Sequence, residues 1–281
     1  MGHQNTRTIK KRSTWPTVFN RPESMTFALL LLALIGASLL SEFFLDFNYI
    51  LRSFTLTAEL SIAALVLTMV IISGEIDLSA AANIALSACI FAYVQASGFP
   101  MTVAILAGLF AGFLMGSLNA ILVIVYQLPS IIVTIGTLIF YRGLAQVIAG
   151  DKSIRVPEWF IGINTKMLFG IPFPVVIFTM SALILGIVLG TTIFGRQIYQ
   201  VGTNNTAALH AGIKSNNIKF SLFVLLGIVS AACGIMAASR LGSVRYDLAL
   251  GGELQMVLMA MLGGTYIFGG RGTILGTFLA A

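Results

Sequence analysis

Ser73-Gly74-Glu75-Ile76-Asp77-Leu78-Ser79 is a short polar interruption in an apolar tract that otherwise runs from about residue 54 to residue 97. Its reading decides the fold, because it marks where one membrane helix stops and the next begins. Two carboxylates stand in it. At the centre of a bilayer each would cost roughly 2.5–3.5 kcal/mol, a cost relieved by a water-filled path or a partner cation. The plainer reading is a short aqueous turn in which Asp77 or Ser79 caps the following helix. The sharper one is a broken helix lining a cavity. The residues alone leave both open.

Outward from this point the chain is a series of apolar runs near 25–41, 54–73, 78–97, 101–126, 128–149, 171–194, 218–239 and 253–269. About 20 such residues cross the hydrocarbon core as a helix, since lipid offers no partner to an unpaired peptide group. A ninth run opens at Thr273 and stops at Ala281; as a helix it reaches only about 14 Å, so the sequence reads as cut off inside a span. The expected architecture is an all-α polytopic bundle of about eight full spans plus a truncated ninth. It divides into a basic tail, 1–24, and a membrane domain, 25–281, with the N-terminus in the cytoplasm. Gly108, Gly112 and Gly116 form one smooth face on the fourth run, suited to a closely packed neighbour. Pro172 and Pro174 open the sixth run, where a first helical turn tolerates the missing N–H groups.

Composition agrees. Of 281 residues, 58% are apolar and 9% charged, against about 45–50% and about 25% in soluble domains. The 28 glycines fit close helix packing in lipid. Cys89 and Cys233 both fall in apolar runs and offer neither a disulfide framework nor a metal pair. The net charge of +6 does not point to nucleic acid, because Arg7, Lys10, Lys11, Arg12 and Arg21 crowd the tail before the first run. That is the positive-inside pattern, with anionic head groups as its natural neighbour. The 25–40 run is long for a cleavable signal segment and no cleavage site follows it, so it reads as an uncleaved first span. With this orientation nine Lys and Arg lie inside and seven outside, a bias of the right sign and modest size.

Glu59 stands alone in the second run and Arg142 lies toward the outer end of the fifth. Either suits a pathway or a structural charge. For Arg142, which can reach to the head groups, the structural reading is favoured. Asn83, Asn119, Thr134, Thr137 and Tyr141 are neutral polar groups on span faces. Sugars are bound by such groups, and interhelical hydrogen bonds use them equally well. The candidate path residues are therefore Glu75, Asp77, Ser79, Asn83, Asn119, Thr134 and Thr137.

The largest polar connection, about 195–217, begins Gly195-Arg196-Gln197-Ile198-Tyr199-Gln200-Val201-Gly202 and continues Thr203-Asn204-Asn205-Thr206-Ala207-Ala208-Leu209-His210-Ala211-Gly212. It contains a short helix: Asn204 or Asn205 caps it, Ala-Ala-Leu-His-Ala propagates it, and Gly212 supplies a left-handed end. Alone it is too short to be stable, so it docks on the membrane domain or on a cytoplasmic partner. His210 reads as a solvated or docking histidine, with no metal ligand beside it. No phosphate-binding loop, serine-hydrolase elbow or metal-ligand helix is present. The chain reads as no enzyme, and no cofactor or metal is implied.

At these residues the chain resembles the membrane permease of ribose-type bacterial ABC importers, the second carbohydrate-uptake class. Residues 73–79 are similar to that family's Gly-Gly-Ile-Asp-Leu-Ser motif, with Glu75 in place of the second glycine where the helix is expected to break. Thr134-Ile135-Gly136-Thr137-Leu138 with Tyr141-Arg142-Gly143 resembles its Thr-Leu-Gly-Thr and Arg-Gly signature. Gly195-Arg196 through Gly212-Ile213 looks like the loop that docks on the ATPase subunit. Leu262-Gly263-Gly264-Thr265, followed by Phe268-Gly269-Gly270-Arg271-Gly272-Thr273-Ile274-Leu275-Gly276, matches its glycine-rich end segment. The four occur in the family's order and cover about residues 25–281.

The resemblance implies a permease dimer, homo- or heterodimeric, in the bacterial inner membrane. A cytoplasmic ATP-binding subunit would lie below and an extracytoplasmic sugar-binding protein outside. It makes the segment from Gly202 to Gly212 a coupling helix, with Gly195, Arg196, Gly202, Asn204, Asn205, Ala207, Ala208 and Gly212 as ATPase-coupling residues. The transported solute would be a monosaccharide or similar small sugar. Its rivals are an ion-coupled secondary transporter, for which Glu59, Glu75 and Asp77 are the only carboxylates available in the spans, and a membrane scaffold without a solute.

Overall fold

The computed structural model describes residues 22–40, 44, 46–162, 166–168 and 170–281. The basic cluster of residues 7–21 lies outside them. Among the described residues twelve helices follow in order: α1 (Pro22–Leu40), α2 (Phe47–Phe54), α3 (Ala58–Ile72), α4 (Ala80–Ala96), α5 (Met101–Ile124), α6 (Ser130–Ala149), α7 (Phe173–Thr191), α8 (Ile193–Thr203), α9 (Asn205–His210), α10 (Ser215–Leu241), α11 (Gly252–Leu262) and α12 (Ile274–Ala280). Two small antiparallel pairs join them. β1 (Ile154–Arg155) pairs with β4 (Ser243–Val244), and β2 (Met167–Leu168) with β3 (Ile171–Pro172).

Each of the eight apolar runs holds a helix, so the polytopic helical class is observed. Among the described residues only α5, α6, α7 and α10 are long and apolar enough to cross a membrane by themselves; the apolar stretch 24–40 of α1, and α3, α4 and α11, are shorter. α3, α4 and α11 are thus shorter than the apolar runs that hold them. Extended or looped backbone at 73–79 lies between α3 and α4, and at 263–273 it follows α11. Such backbone is tolerated at membrane depth only when protein surrounds it.

α3 is the hub. Its sequence is apolar on every side, and every residue except Leu60 is buried, as expected of a helix without a solvent or lipid face. It packs on α10, α11, α7 and α12, while α4 packs on α5, α10 and α6. The glycine face of α5 meets α10. A Cβ on Gly112 would collide with the Gly227 carbonyl and Ala231, and one on Gly116 with the Phe223 carbonyl. Those glycines therefore let the two long helices touch backbone to backbone. By contrast α6 and α7 leave apolar faces open, among them Ile132, Ile139, Val147, Leu183 and Ile187, the surface a bilayer or second subunit would cover. One end of the bundle carries α8 and α9; the opposite end carries α2 and the strands.

Candidate functional site

The interruption before α4 is held from within. Asn119 sits on α5 five residues, roughly 8 Å, inside that helix's end, so Asp77 and Ser79, which it contacts, lie inside the bundle. The Asp77 carboxylate receives the Ser79 N–H at 2.8 Å, the Ser79 hydroxyl at 2.7 Å and the Asn119 amide at 3.3 Å. Asn119 also donates to Ser79 Oγ at 2.7 Å. The Tyr141 hydroxyl stands 3.2 Å from Asn119 Oδ1 and 3.0 Å from the Met115 carbonyl. All four side chains are buried. The three donors to Asp77 thus come from the chain itself, two from Ser79 and one from Asn119.

α6 closes the other side. Ser130 Oγ accepts the Ile76 N–H at 3.2 Å, and the Thr134 hydroxyl lies 2.8 Å from the Ser130 carbonyl and 3.3 Å from that of Ile76. Thr137 is buried and reaches the Thr134 carbonyl, and Asn83 Oδ1 accepts from the Ser87 hydroxyl at 3.0 Å. The structure thus gathers Asp77, Ser79, Asn119 and Thr134 around one break and places Asn83 and Thr137 a turn away, each engaged with its own helix.

Glu75 is different. It pairs with Lys219 at 2.5 Å, both side chains being about 15% exposed, on the wall of a cleft of about 530 Å³ that also presents Gln127, Ser130, Asn205 and Asn216. A charge where the resemblance expects glycine thus has its own countercharge on α10. Lys219 carried no signal in the sequence beyond being a cation at the start of an apolar run.

The α8–α9 segment is tied to the same break. Asn204 is the cap: its side chain accepts the Ala207 N–H at 3.0 Å, and Gly212 takes φ +80° beyond the last turn. Asn204, Asn205, Ala207 and Leu209 are exposed, whereas Ala208 is buried and turns toward the bundle. Ahead of α9 stands α8, which sequence reading treated as loop. Its buried residues Gly195, Ile198 and Val201 recur every three residues, a stripe too short to stand out within a polar stretch. Arg196 is exposed and donates to the Thr191 carbonyl. Gly202 is where α8 meets the core. The Gly270 N–H donates to the Ile72 carbonyl at 2.8 Å directly beneath it, and a Cβ on Gly202 would fall on both groups. The Tyr199 hydroxyl donates to the Gly272 carbonyl at 2.7 Å. Three of the four quoted motifs therefore interlock at one junction: the end of α3, the end of α8 and the glycine-rich loop.

At the opposite end Glu59 forms a two-point ion pair with Arg240, at 2.9 and 3.3 Å. Arg142 does not extend to the bundle's rim. Its Nη1 donates to the carbonyls of Tyr246 and Leu248, at 2.8 and 2.6 Å, in the loop that leads into α11.

This architecture has sequence relatives. Residues 49–281 match the family described as branched-chain amino acid transport system / permease component. The autoinducer 2 import system permease protein LsrD of Klebsiella pneumoniae subsp. pneumoniae is 34% identical over 92% of this chain and 80% of its own. The protein of the same name from Escherichia coli K12 is 32% identical over 90% and 79%. That from Yersinia pseudotuberculosis serotype O:3 is 33% identical over 90% and 78%. No solved structure matches. A family match over most of the chain and relatives of this closeness bear out the resemblance to ribose-type importers, and the chain belongs to that family of ABC-importer permease components.

Proposed function

We propose that the chain forms the membrane pathway of an importer for a small sugar-like solute, with the α8–α9 end in the cytoplasm and an ATP-binding subunit docked on α9. A second permease subunit and an external solute-binding protein complete the assembly. The relatives' named solute, autoinducer 2, is the first candidate for the cargo, beside ribose, xylose and rhamnose. The observation that carries the mechanism is the junction of Gly202 with Ile72 and Gly270. A helix too short to stand alone is capped at both ends, seated by Ala208, and coupled through α8 to the interruption at residues 73–79. Displacement of α9 therefore reaches the break through backbone contacts that have no slack.

In this reading residues 73–79, with Asn83, Asn119, Thr134 and Thr137, shape the wall of the path rather than line it with free polar groups, and the Glu75 cleft is its cytoplasmic mouth. Gly195, Arg196, Gly202, Asn204, Asn205, Ala207, Ala208 and Gly212 form the coupling element. The ion-coupled rival is disfavoured because the three carboxylates named for it are taken, Glu59 by Arg240, Glu75 by Lys219 and Asp77 by three donors; Glu253, at the start of α11, lies outside that set. The test is uptake in cells whose proton gradient is collapsed while ATP is maintained. Uptake persists if ATP drives transport, and an immediate stop favours ion coupling.

A further inference from the structure

The interruption ahead of α11 carries charges that the fold does not satisfy. Arg142 lies seven residues, roughly 10 Å, inside the end of α6. Nη1 holds the 245–251 loop, yet Nε and Nη2 are sealed from solvent with no hydrogen-bond partner. Glu253, in the first turn of α11, leaves Oε2 equally sealed and equally unpartnered. The charges of Glu253 and of Asp247 both bear on Arg142, but Asp247 is engaged by Arg245 at 3.2 Å. Glu253 is left over. The helix dipole explains an acid in a first turn; it does not explain an oxygen closed off without a donor. The loop between them holds Ala249 at φ +56°, a left-handed geometry that costs a residue with a Cβ some strain. An ionisable group buried in a membrane bundle points to function by default.

We propose that Arg142 and Glu253 form a solute subsite at the strand end of the pathway that takes a neutral polyhydroxylated molecule. One hydroxyl oxygen accepts from Arg142 Nε or Nη2, and another hydroxyl donates to Glu253 Oε2. The two opposite charges cancel, so an anion meets Glu253 and a cation meets Arg142; a sugar satisfies both. Entry of the solute requires the 245–251 loop to yield, which sets Arg142 as both loop holder and ligand. This rests on the transport reading above.

The experiment uses the complete importer, with both permease subunits, the ATPase and the binding protein, in proteoliposomes. D-ribose, D-xylose, L-rhamnose and autoinducer 2 are offered in turn. Glu253→Leu removes the acceptor and orphans no protein donor. It is expected to leave the thermal midpoint unchanged or raised, and ATP hydrolysis stimulated by loaded binding protein within twofold, while uptake falls at least tenfold. Arg142→Lys keeps a donor for the Tyr246 and Leu248 carbonyls, loses the fork, and is expected to lose uptake in the same way. Uptake within twofold of the unmodified importer in Glu253→Leu overturns the subsite. So does a parallel loss of uptake and stimulated hydrolysis, which marks a structural role. If none of the four solutes enters through the unmodified importer, the transport reading fails and the subsite falls with it.

Discussion

Asp77, in the interruption before α4, meets three donors, and Glu75 beside it meets Lys219. Arg142 and Glu253, at the interruption before α11, leave three polar atoms between them sealed and unpaired. The first region interrupts an apolar tract inside the bundle, the second is the connection from α10 to α11 at the strand end, and both hold buried charged atoms. The difference lies in who supplies the partners. At the first break the chain supplies all of them, from Ser79 within the break and from Asn119 and Lys219 on neighbouring helices, which makes it a fixed structural joint. At the second the protein supplies only half, which suits a place where something else completes the set.

That contrast can be broken at its strongest point. Asp77→Ala orphans the Ser79 N–H and part of the Asn119 amide, roughly 1–3 kcal/mol for each donor left unmade. The expected result is a large drop in the unfolding midpoint of the detergent-purified protein, with poor accumulation in the membrane. A midpoint within a degree or two of the parent would mean the first joint is not held by this network. Gly202→Ala comes next. Its added methyl meets backbone at Ile72 and Gly270, and overpacking of this kind costs about 1–3 kcal/mol. Uptake should fall while the ATPase subunit still co-purifies, because the joint behind the docking helix is damaged and the docking surface is not.

The Glu75–Lys219 pair gives a smaller effect, about 1 kcal/mol for a pair at the bundle's edge. Charge reversal at either residue alone should reduce uptake, and the double reversal Glu75→Lys with Lys219→Glu should restore most of it. Lack of rescue would detach the pair from the cleft's function. Smallest in stability, by contrast, is Glu253→Leu, whose thermal midpoint should not fall at all.

How much of this was legible in the sequence follows from how local each signal is. The helices sit where apolar runs sit, since burial of such runs needs no knowledge of the partner. The α9 cap was legible as Asn204 or Asn205, of which the structure uses Asn204, and its stop in Gly212, because both act within one turn. The shortness of α3, α4 and α11 was not: a run of apolar residues looks alike whether its backbone is helical or extended. Nor was the closure around Asp77, whose partner Asn119 is 42 residues away and joins it only once α4 and α5 pack. Ala208 read as an ATPase-coupling residue beside Ala207, with no sign that it turns toward the bundle; a six-residue helix has too few turns for its sequence to declare which face is buried. Arg142 read as a structural charge, and half of its guanidinium is one.

The account depends most on α9 meeting an ATP-binding subunit from the cytoplasm. Leu209 is 53% exposed on that helix, and both native cysteines are buried, so Leu209→Cys places a single accessible thiol there. The expected result is modification by a membrane-impermeant maleimide from the cytoplasmic face alone, strongly reduced when the ATPase subunit is bound. Modification from the outer face, or labelling indifferent to that subunit, would contradict it.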